Sequence, residues 1–261
     1  MSAELIFSDD RKDFRVVHGD WQTPLELSLQ ICTLIKQNFT PDIIIEPNCG
    51  LGSFIKAAGQ VFSQTRKIFG FDIIEDYLHS IPLQKGLSLK QADFFEGLWR
   101  NVIIDNSDKK FLIIGNPPWV TNSELMRRNS TNVPNKRNAE NLSGIEAITG
   151  KSNFDISQWM IQEELSQLQG CNAVLAMLCK TSTARKVIQY AWKQGLRFTQ
   201  AQIRRFNANY YFDVSVDACL LMVQLDSDSE KNQPCYCFPS LDSIAPEEKL
   251  GIREGVLGDQ H

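Results

Sequence analysis

Four short apolar runs in the first half of the chain each stop at an acid or an amide, and helical patterns alternate with them. Asp42-Ile-Ile-Ile-Glu46 ends at Pro47, Lys67-Ile-Phe-Gly-Phe-Asp72 ends on its aspartate, residues 87–92 end at Asp93, and residues 111–115 end at Asn116. Three of them, at 42–46, 67–72 and 111–115, have the length and apolarity of strands buried on both faces, as in a parallel sheet, and residues 87–92 read as a further strand. Residues 24–36 carry Leu25, Leu27, Leu29, Ile31, Cys32, Leu34 and Ile35, close to a 3.6-residue period, which predicts a helix with Pro24 in its first turn. Helices are also predicted over 50–58 and 75–81. A long polar segment follows the fourth run. Beyond it come a helix near 154–168, a strand over 173–178, a helix over 183–194, and two late strands near 198–206 and 214–224.

Strands separated by helices specify a doubly wound, Rossmann-like α/β domain. Seven strands are expected, mostly parallel, with the last two forming an antiparallel hairpin at one edge because no helix separates them. Residues 1–228 make up this domain. Residues 229–261, rich in Asp, Ser, Glu, Pro and Gly, read as a linker or a truncated C-terminal extension.

The 261 residues can bury a sizeable core, and 43% hydrophobic with 22% charged residues describes an ordinary globular chain. Residues 1–14 are polar and acidic, and no apolar run reaches membrane-spanning length, so an intracellular, cytoplasmic protein without a membrane partner is expected. Seven scattered cysteines and three histidines offer no zinc spacing, and no metal is expected. The net charge of −4 speaks against a broad nucleic-acid surface. Residues 120–152 differ locally: Arg127, Arg128, Lys136, Arg137 and Lys151 outnumber Glu124, Glu140 and Glu146. That loop suits a phosphate contact, and equally a solvated loop of mixed charge.

In an open α/β sheet ligands sit at the carboxyl ends of the strands, where the singular residues of this chain fall. After the first strand, Glu46-Pro-Asn-Cys-Gly50-Leu-Gly52 places glycines where backbone approaches a ligand before a helix N-terminus. A plain strand–helix turn has the same look. Asp72 can accept two ribose hydroxyls, or simply cap the next helix. Asp93-Phe94 pairs an acceptor for a purine amine with a ring to stack on it, or a helix cap with a core ring. Asn116-Pro-Pro-Trp119 is the sharpest signal. Two prolines stiffen the turn and donate no N–H. Asn116 and the Pro117 carbonyl then offer two acceptors beside the flat face of Trp119, enough to hold a planar ring bearing an –NH2 group. A rigid turn with no ligand is the plainer alternative.

The order of these segments, over about residues 20–225, resembles the S-adenosylmethionine-dependent DNA adenine-N6 methyltransferases of restriction–modification systems. Trp21-Gln-Thr23-Pro24 looks like their N-terminal cofactor motif, Glu46–Phe54 their glycine motif, and Asp72, Asp93-Phe94 and Asn116–Trp119 the next three. Lys151-Ser-Asn-Phe-Asp155 resembles a segment of large restriction-enzyme methylase domains. Phe212-Asp-Val-Ser-Val-Asp-Ala218 resembles the late motif whose aromatic residue packs on the target base. Trp119 replaces the commoner Tyr or Phe.

The resemblance implies S-adenosyl-L-methionine as cofactor, held by Thr23, Glu46, Gly50, Gly52, Asp72, Asp93 and Phe94. It implies catalysis by Asn116, Pro117 and Trp119, and an adenine flipped out of DNA between Trp119 and Phe212, with Tyr210 and Tyr211 as other candidates for the second face. Rival substrates are RNA adenine, cytosine N4 and protein glutamine. A rival of another kind is a catalytically weak cofactor-binding subunit of a larger complex. No full target-recognition domain is visible, so DNA is the expected partner with or without a separate recognition subunit.

Overall fold

The computed structural model describes residues 21–120, 155–253 and 256–259. Helix α1 (Leu25–Lys36) leads into β1 (Ile43–Glu46), α2 (Ser53–Val61), β2 (Lys67–Asp72), α3 (Glu75–Ser80) and β3 (Leu87–Gln91). A single 3-10 turn (Phe94–Glu96), α4 (Leu98–Ile104) and β4 (Lys110–Gly115) follow. Past the polar segment come α5 (Ile156–Gln167), β5 (Asn172–Lys180) and α6 (Thr181–Gln194). The chain then runs through β6 (Arg197–Phe198), β7 (Gln200–Asn207), α7 (Ala208–Phe212) and β8 (Asp217–Leu225). Last are β9 (Glu230–Lys231), β10 (Cys235–Phe238), β11 (Glu248–Arg253) and β12 (Val256–Asp259).

Ten of these strands form one sheet in the order β12-β11-β10-β7-β8-β5-β4-β1-β2-β3, while β6 and β9 pair separately. From β3 to β5 every pairing is parallel; β8 enters antiparallel to both β5 and β7. Burial explains why the central strands read as continuous apolar runs. Ile43 and Ile45 belong to one core layer and Ile44 to the other; Phe111 and Ile113 likewise alternate with Leu112 and Ile114. Successive strand side chains point to opposite faces, and both faces are covered by helices. Each such fully buried side chain contributes about 1.5–3 kcal/mol of transfer free energy.

Two expectations need correction. The sheet has ten strands rather than seven, and the β7–β8 hairpin does not lie at its edge. β10 pairs in parallel with β7 and carries β11 and β12 outward. The unpaired N–H and C=O groups of β7 would otherwise be open to pairing by another chain. Cys235, Cys237, Phe238, Leu241 and Leu250 are buried in covering it, core positions concealed in a stretch dominated by polar and turn residues. Helix α4 was also not foreseen; Trp99 and Ile103 anchor it.

Among the described residues no group of His, Cys, Asp or Glu is placed to hold a metal ion, and no helix is long and apolar enough to cross a membrane. The basic segment 120–152 lies, apart from Val120, outside the described residues, as do residues 151–154.

Candidate active site

The carboxyl ends of β1, β2 and β4 meet in one hydrogen-bonded cluster. After β1 the chain turns through Gly50 and Gly52, both with positive φ (51° and 73°), and enters α2. Asp72, at the end of β2, clamps that turn. Its Oδ2 accepts from the Gly50 N–H at 2.7 Å and its Oδ1 from the Ile74 N–H at 2.9 Å. Gln22 fixes the next residue, with Oε1 accepting from the Leu51 N–H at 2.9 Å. The conformation at Gly52 excludes a side chain: a Cβ there would lie 2.7 Å from the Ile81 side chain. Gly52→Ala is therefore expected to destabilise the fold by at least about 1–2 kcal/mol, read as a lowered urea midpoint, from left-handed backbone strain alone.

Asn116 is tied to the same cluster from two directions. Asn48 Nδ2 donates to the Asn116 carbonyl at 3.1 Å, and Asn116 Nδ2 donates to the Trp21 carbonyl at 2.8 Å. The second bond points the amide nitrogen away and fixes where Oδ1 faces. That oxygen is buried and has no partner among the described residues; the same holds for Asn48 Oδ1 and Glu46 Oε2. Three buried acceptors without donors among the described residues, all at or just past the carboxyl ends of β1 and β4, are costly. They call for a ligand that brings N–H groups or positive charge.

Glu46 makes the demand sharper. It is 3% exposed, and burial pushes its carboxyl well above the ordinary carboxylate range. An N–H from Ile55, in the first turn of α2, pulls the other way, and neighbouring Asp72 adds to the rise. A cation beside Glu46 would reverse the balance and favour the carboxylate.

Asp93 and Phe94 are placed differently from the four-motif picture. Asp93 Oδ1 accepts from the Phe95 N–H at 2.9 Å and caps the 3-10 turn. Phe94 is buried with its ring stacked on Trp99 at 5.3 Å between centroids and edge-on to Trp159 at 6.0 Å. This is the cap-plus-core-ring arrangement. Thr23 is buried just before Pro24, which caps α1.

Trp119 is more enclosed than its motif implied. Its indole is 6% exposed, Nε1 donates to the Leu178 carbonyl at 3.3 Å, and its ring meets that of Phe212 edge to face at 5.4 Å and 65°. A base stacked between two rings needs them roughly 7 Å apart and parallel, two carbon contact distances of ~3.5 Å. The expected sandwich is therefore not formed in this conformation: each ring covers the other's apolar surface. Phe212 ends the short α7, next to Asp213 at a φ of 55°. Tyr210 is exposed on the same turn, while Tyr211 Oη donates to Gln30 Oε1 at 3.2 Å.

Sequence reasoning missed two residues. Asn48 joins the glycine turn to the Asn-Pro-Pro turn, and Lys180 Nζ donates to the Trp119 carbonyl at 3.2 Å while pairing with Asp155 at 3.1 Å. Asn48 stood inside a noted motif and could have been found as a side chain between two strand ends. Lys180 lies 61 residues from Trp119, and no local signal marks it.

The sheet ordered β3-β2-β1-β4-β5-β8-β7, with helices on both faces, is a fold shared with solved methyltransferase structures. A Listeria monocytogenes protein described as a class I S-adenosylmethionine-dependent methyltransferase superposes with a TM-score of 0.59 at 14% identity, covering 86% of this chain and 68% of that one. The methyltransferase subunit of a type I restriction-modification system from Streptococcus thermophilus superposes at 0.53, with 14% identity over 84% of this chain and 47% of that one. No protein-family model matches the chain. In sequence, it is 41% identical over 250 residues to the type II methyltransferase M.NspV of Nostoc sp., a match covering 93% of this chain and 52% of that relative. The chain thus spans about half the length of the relative it matches.

Proposed function

We propose that this chain is the catalytic portion of a restriction–modification methyltransferase that transfers a methyl group from S-adenosylmethionine to adenine N6 in DNA. The observation that carries this reading is the buried, unpartnered Oδ1 of Asn116, oriented by the bond from Nδ2 to Trp21. The relationship to a type II methyltransferase and the fold support it. On this reading residues 1–228 hold the chemistry, and the strands beyond extend its sheet toward whatever reads the sequence. The protein acts in the cytoplasm, where chromosomal DNA and the cofactor meet.

The donor set fits the cofactor. Glu46 Oε2 and Asn48 Oδ1 are buried acceptors that suit N–H groups or a cation, Gly50 and Gly52 carry the turn at positive φ, and Asp72 lies at the end of β2 for ribose hydroxyls. When bound, the cofactor supplies a methyl group already activated by its sulfonium, so no nucleophilic side chain is required. The residues of the chain then have two tasks. Asn116 Oδ1 and the Pro117 carbonyl accept the two N–H groups of the target amine, holding the nitrogen pyramidal and stabilising the positive charge it acquires. Trp119 orients the ring. For the base to reach its face Phe212 must withdraw, and the two rings then bracket the purine.

The test is incubation with tritiated cofactor and separate DNA, RNA and protein pools, followed by hydrolysis and identification of the labelled base. Label in N6-methyladenine from duplex DNA is expected. Label confined to RNA, to cytosine or to glutamine would overturn the substrate assignment, and cofactor binding with no label anywhere would overturn the enzyme.

A further inference from the structure

Next to the catalytic turn lies a cavity of about 410 Å³ lined by Lys180, Thr181, Ser182, Arg185, Arg205, Val216 and Asp217. It sits where β5 passes into α6, on the side of the sheet where β4 delivers Asn116. Lys180 joins the two, since its Nζ reaches the Trp119 carbonyl. Three of the seven lining residues are cations and one, Asp217, is a carboxylate.

The floor of the cavity is the start of a 14-residue helix whose first turn has no side-chain cap. Helix N-termini present N–H groups and a positive dipole end to an anion. A helix start alone would mean little, but Thr181 stands there 5% exposed, and its buried hydroxyl has no hydrogen-bond partner among the described residues. The Nε of Arg205 is also buried and has no partner among them. The cations are held by carboxylates outside the lining: Arg205 by Glu247 at 3.1 Å, Arg185 by Glu248, and Lys180 by Asp155. The Arg205–Glu247 pair is more than a third exposed on each side, so solvent screens it and the guanidinium can be shared. An acceptor-rich tetrahedral group would satisfy one hydroxyl, one guanidinium N–H and a helix start together.

We propose that this cavity binds a backbone phosphodiester of the strand that carries the target base. The inference rests on the DNA reading above. A flipped base swings on its own sugar–phosphate backbone, so a phosphate anchored in this cavity, which Lys180 links to the Trp119 carbonyl, fixes the hinge about which the base turns. The contact carries no sequence information; it positions the strand. Asp217 faces the same space and limits the site to one phosphate held from the Thr181–Arg205 side.

The experiment compares wild type with Arg205→Gln and Thr181→Val. It measures binding to a labelled duplex across a range of salt concentrations, methyl transfer to the same duplex, cofactor affinity and thermal stability. Arg205→Gln is expected to weaken duplex binding roughly tenfold at low salt and to flatten the log–log salt dependence by about 0.9. Thr181→Val is expected to weaken duplex binding several-fold while the melting temperature holds or rises, because the variant removes an unsatisfied hydroxyl. Cofactor affinity stays unchanged in both. Wild type that binds and methylates duplex, with both variants matching its affinity and salt slope, overturns the phosphate site and leaves the enzyme standing. Variants that lose duplex affinity as stated, in a chain that methylates no DNA, uphold the site and overturn the enzyme. A wild type that neither binds nor methylates duplex overturns both.

Discussion

Asn116→Ala leaves cofactor affinity within a factor of about two and lowers methyl transfer by about a hundredfold or more, the range for removing one group that stabilises developing charge. The split between the two readouts is what distinguishes catalysis from scaffolding. Asn116 does have a scaffold role: its Nδ2 bond to Trp21 would be lost, at a cost of about 1 kcal/mol in stability. Its carbonyl, however, would still accept from Asn48, so the glycine turn stays tied to the strand end. Single-turnover rates with saturating tritiated cofactor, beside equilibrium binding of the cofactor, check this. A variant that transfers methyl at the wild-type rate would remove Asn116 from the chemistry. One that loses cofactor affinity in step with rate would make it a structural residue.

Wild type without cofactor is expected to lose stability as pH rises, and Glu46→Gln to remove the Glu46 share of that loss, with the share of Glu164, a carboxyl also raised by burial, remaining. Burial raises the Glu46 carboxyl above its ordinary value of 4.5, so the folded protein holds a proton there that the unfolded chain releases. Stability falls wherever the folded state binds more protons, here from about the ordinary value upward to the raised one, by at most about 1.4 kcal/mol per pH unit. The opposite sign, a gain on raising pH, belongs to carboxylates held ionised and would contradict the burial argument. The cofactor sharpens the test because its ammonium and sulfonium charges favour the ionised form of Glu46. Cofactor affinity should therefore rise with pH over the same window, and calorimetry in buffers of different ionisation enthalpy should register a proton released on binding. Glu46→Gln, neutral at every pH, should bind the cofactor more weakly at alkaline pH, show no rise of affinity with pH, and keep only the stability loss that Glu164 contributes. An affinity flat in pH for wild type would place the cation elsewhere.

Much of this fold was legible in residue order. The runs at 42–46, 67–72 and 111–115 became β1, β2 and β4 to within one residue, because strands buried on both faces must be apolar throughout and must stop where a polar residue meets solvent or ligand. The glycine turn and the Asn-Pro-Pro turn were legible for a related reason. Positive φ at Gly50 and Gly52, and fixed φ at two prolines, are local requirements that only certain residues meet. The expectation failed where stability comes from covering something distant. Residues 235–259 read as extension because their turn residues outnumber their core positions. They became strands because β7 left an edge to be paired.

The sequence by itself determined which residues stand at the strand ends and which chemistry their side chains offer: acceptors, glycines, a rigid turn and an aromatic. Those follow from short-range stereochemistry and from the alternation of strand and helix. Only the tertiary structure decided what each acceptor lacks. Asn116 Oδ1 is orphaned because its amide nitrogen is bound to Trp21, 95 residues away, and Glu46 is forced toward its neutral form because the packed helix α2 seals it from water. Tertiary packing also turned Trp119 against Phe212 and set Lys180 between the Asn-Pro-Pro-Trp turn and a cavity that no motif announced. Hydrogen-bond satisfaction and desolvation depend on groups brought together across the whole fold, so no stretch of sequence read alone can contain them.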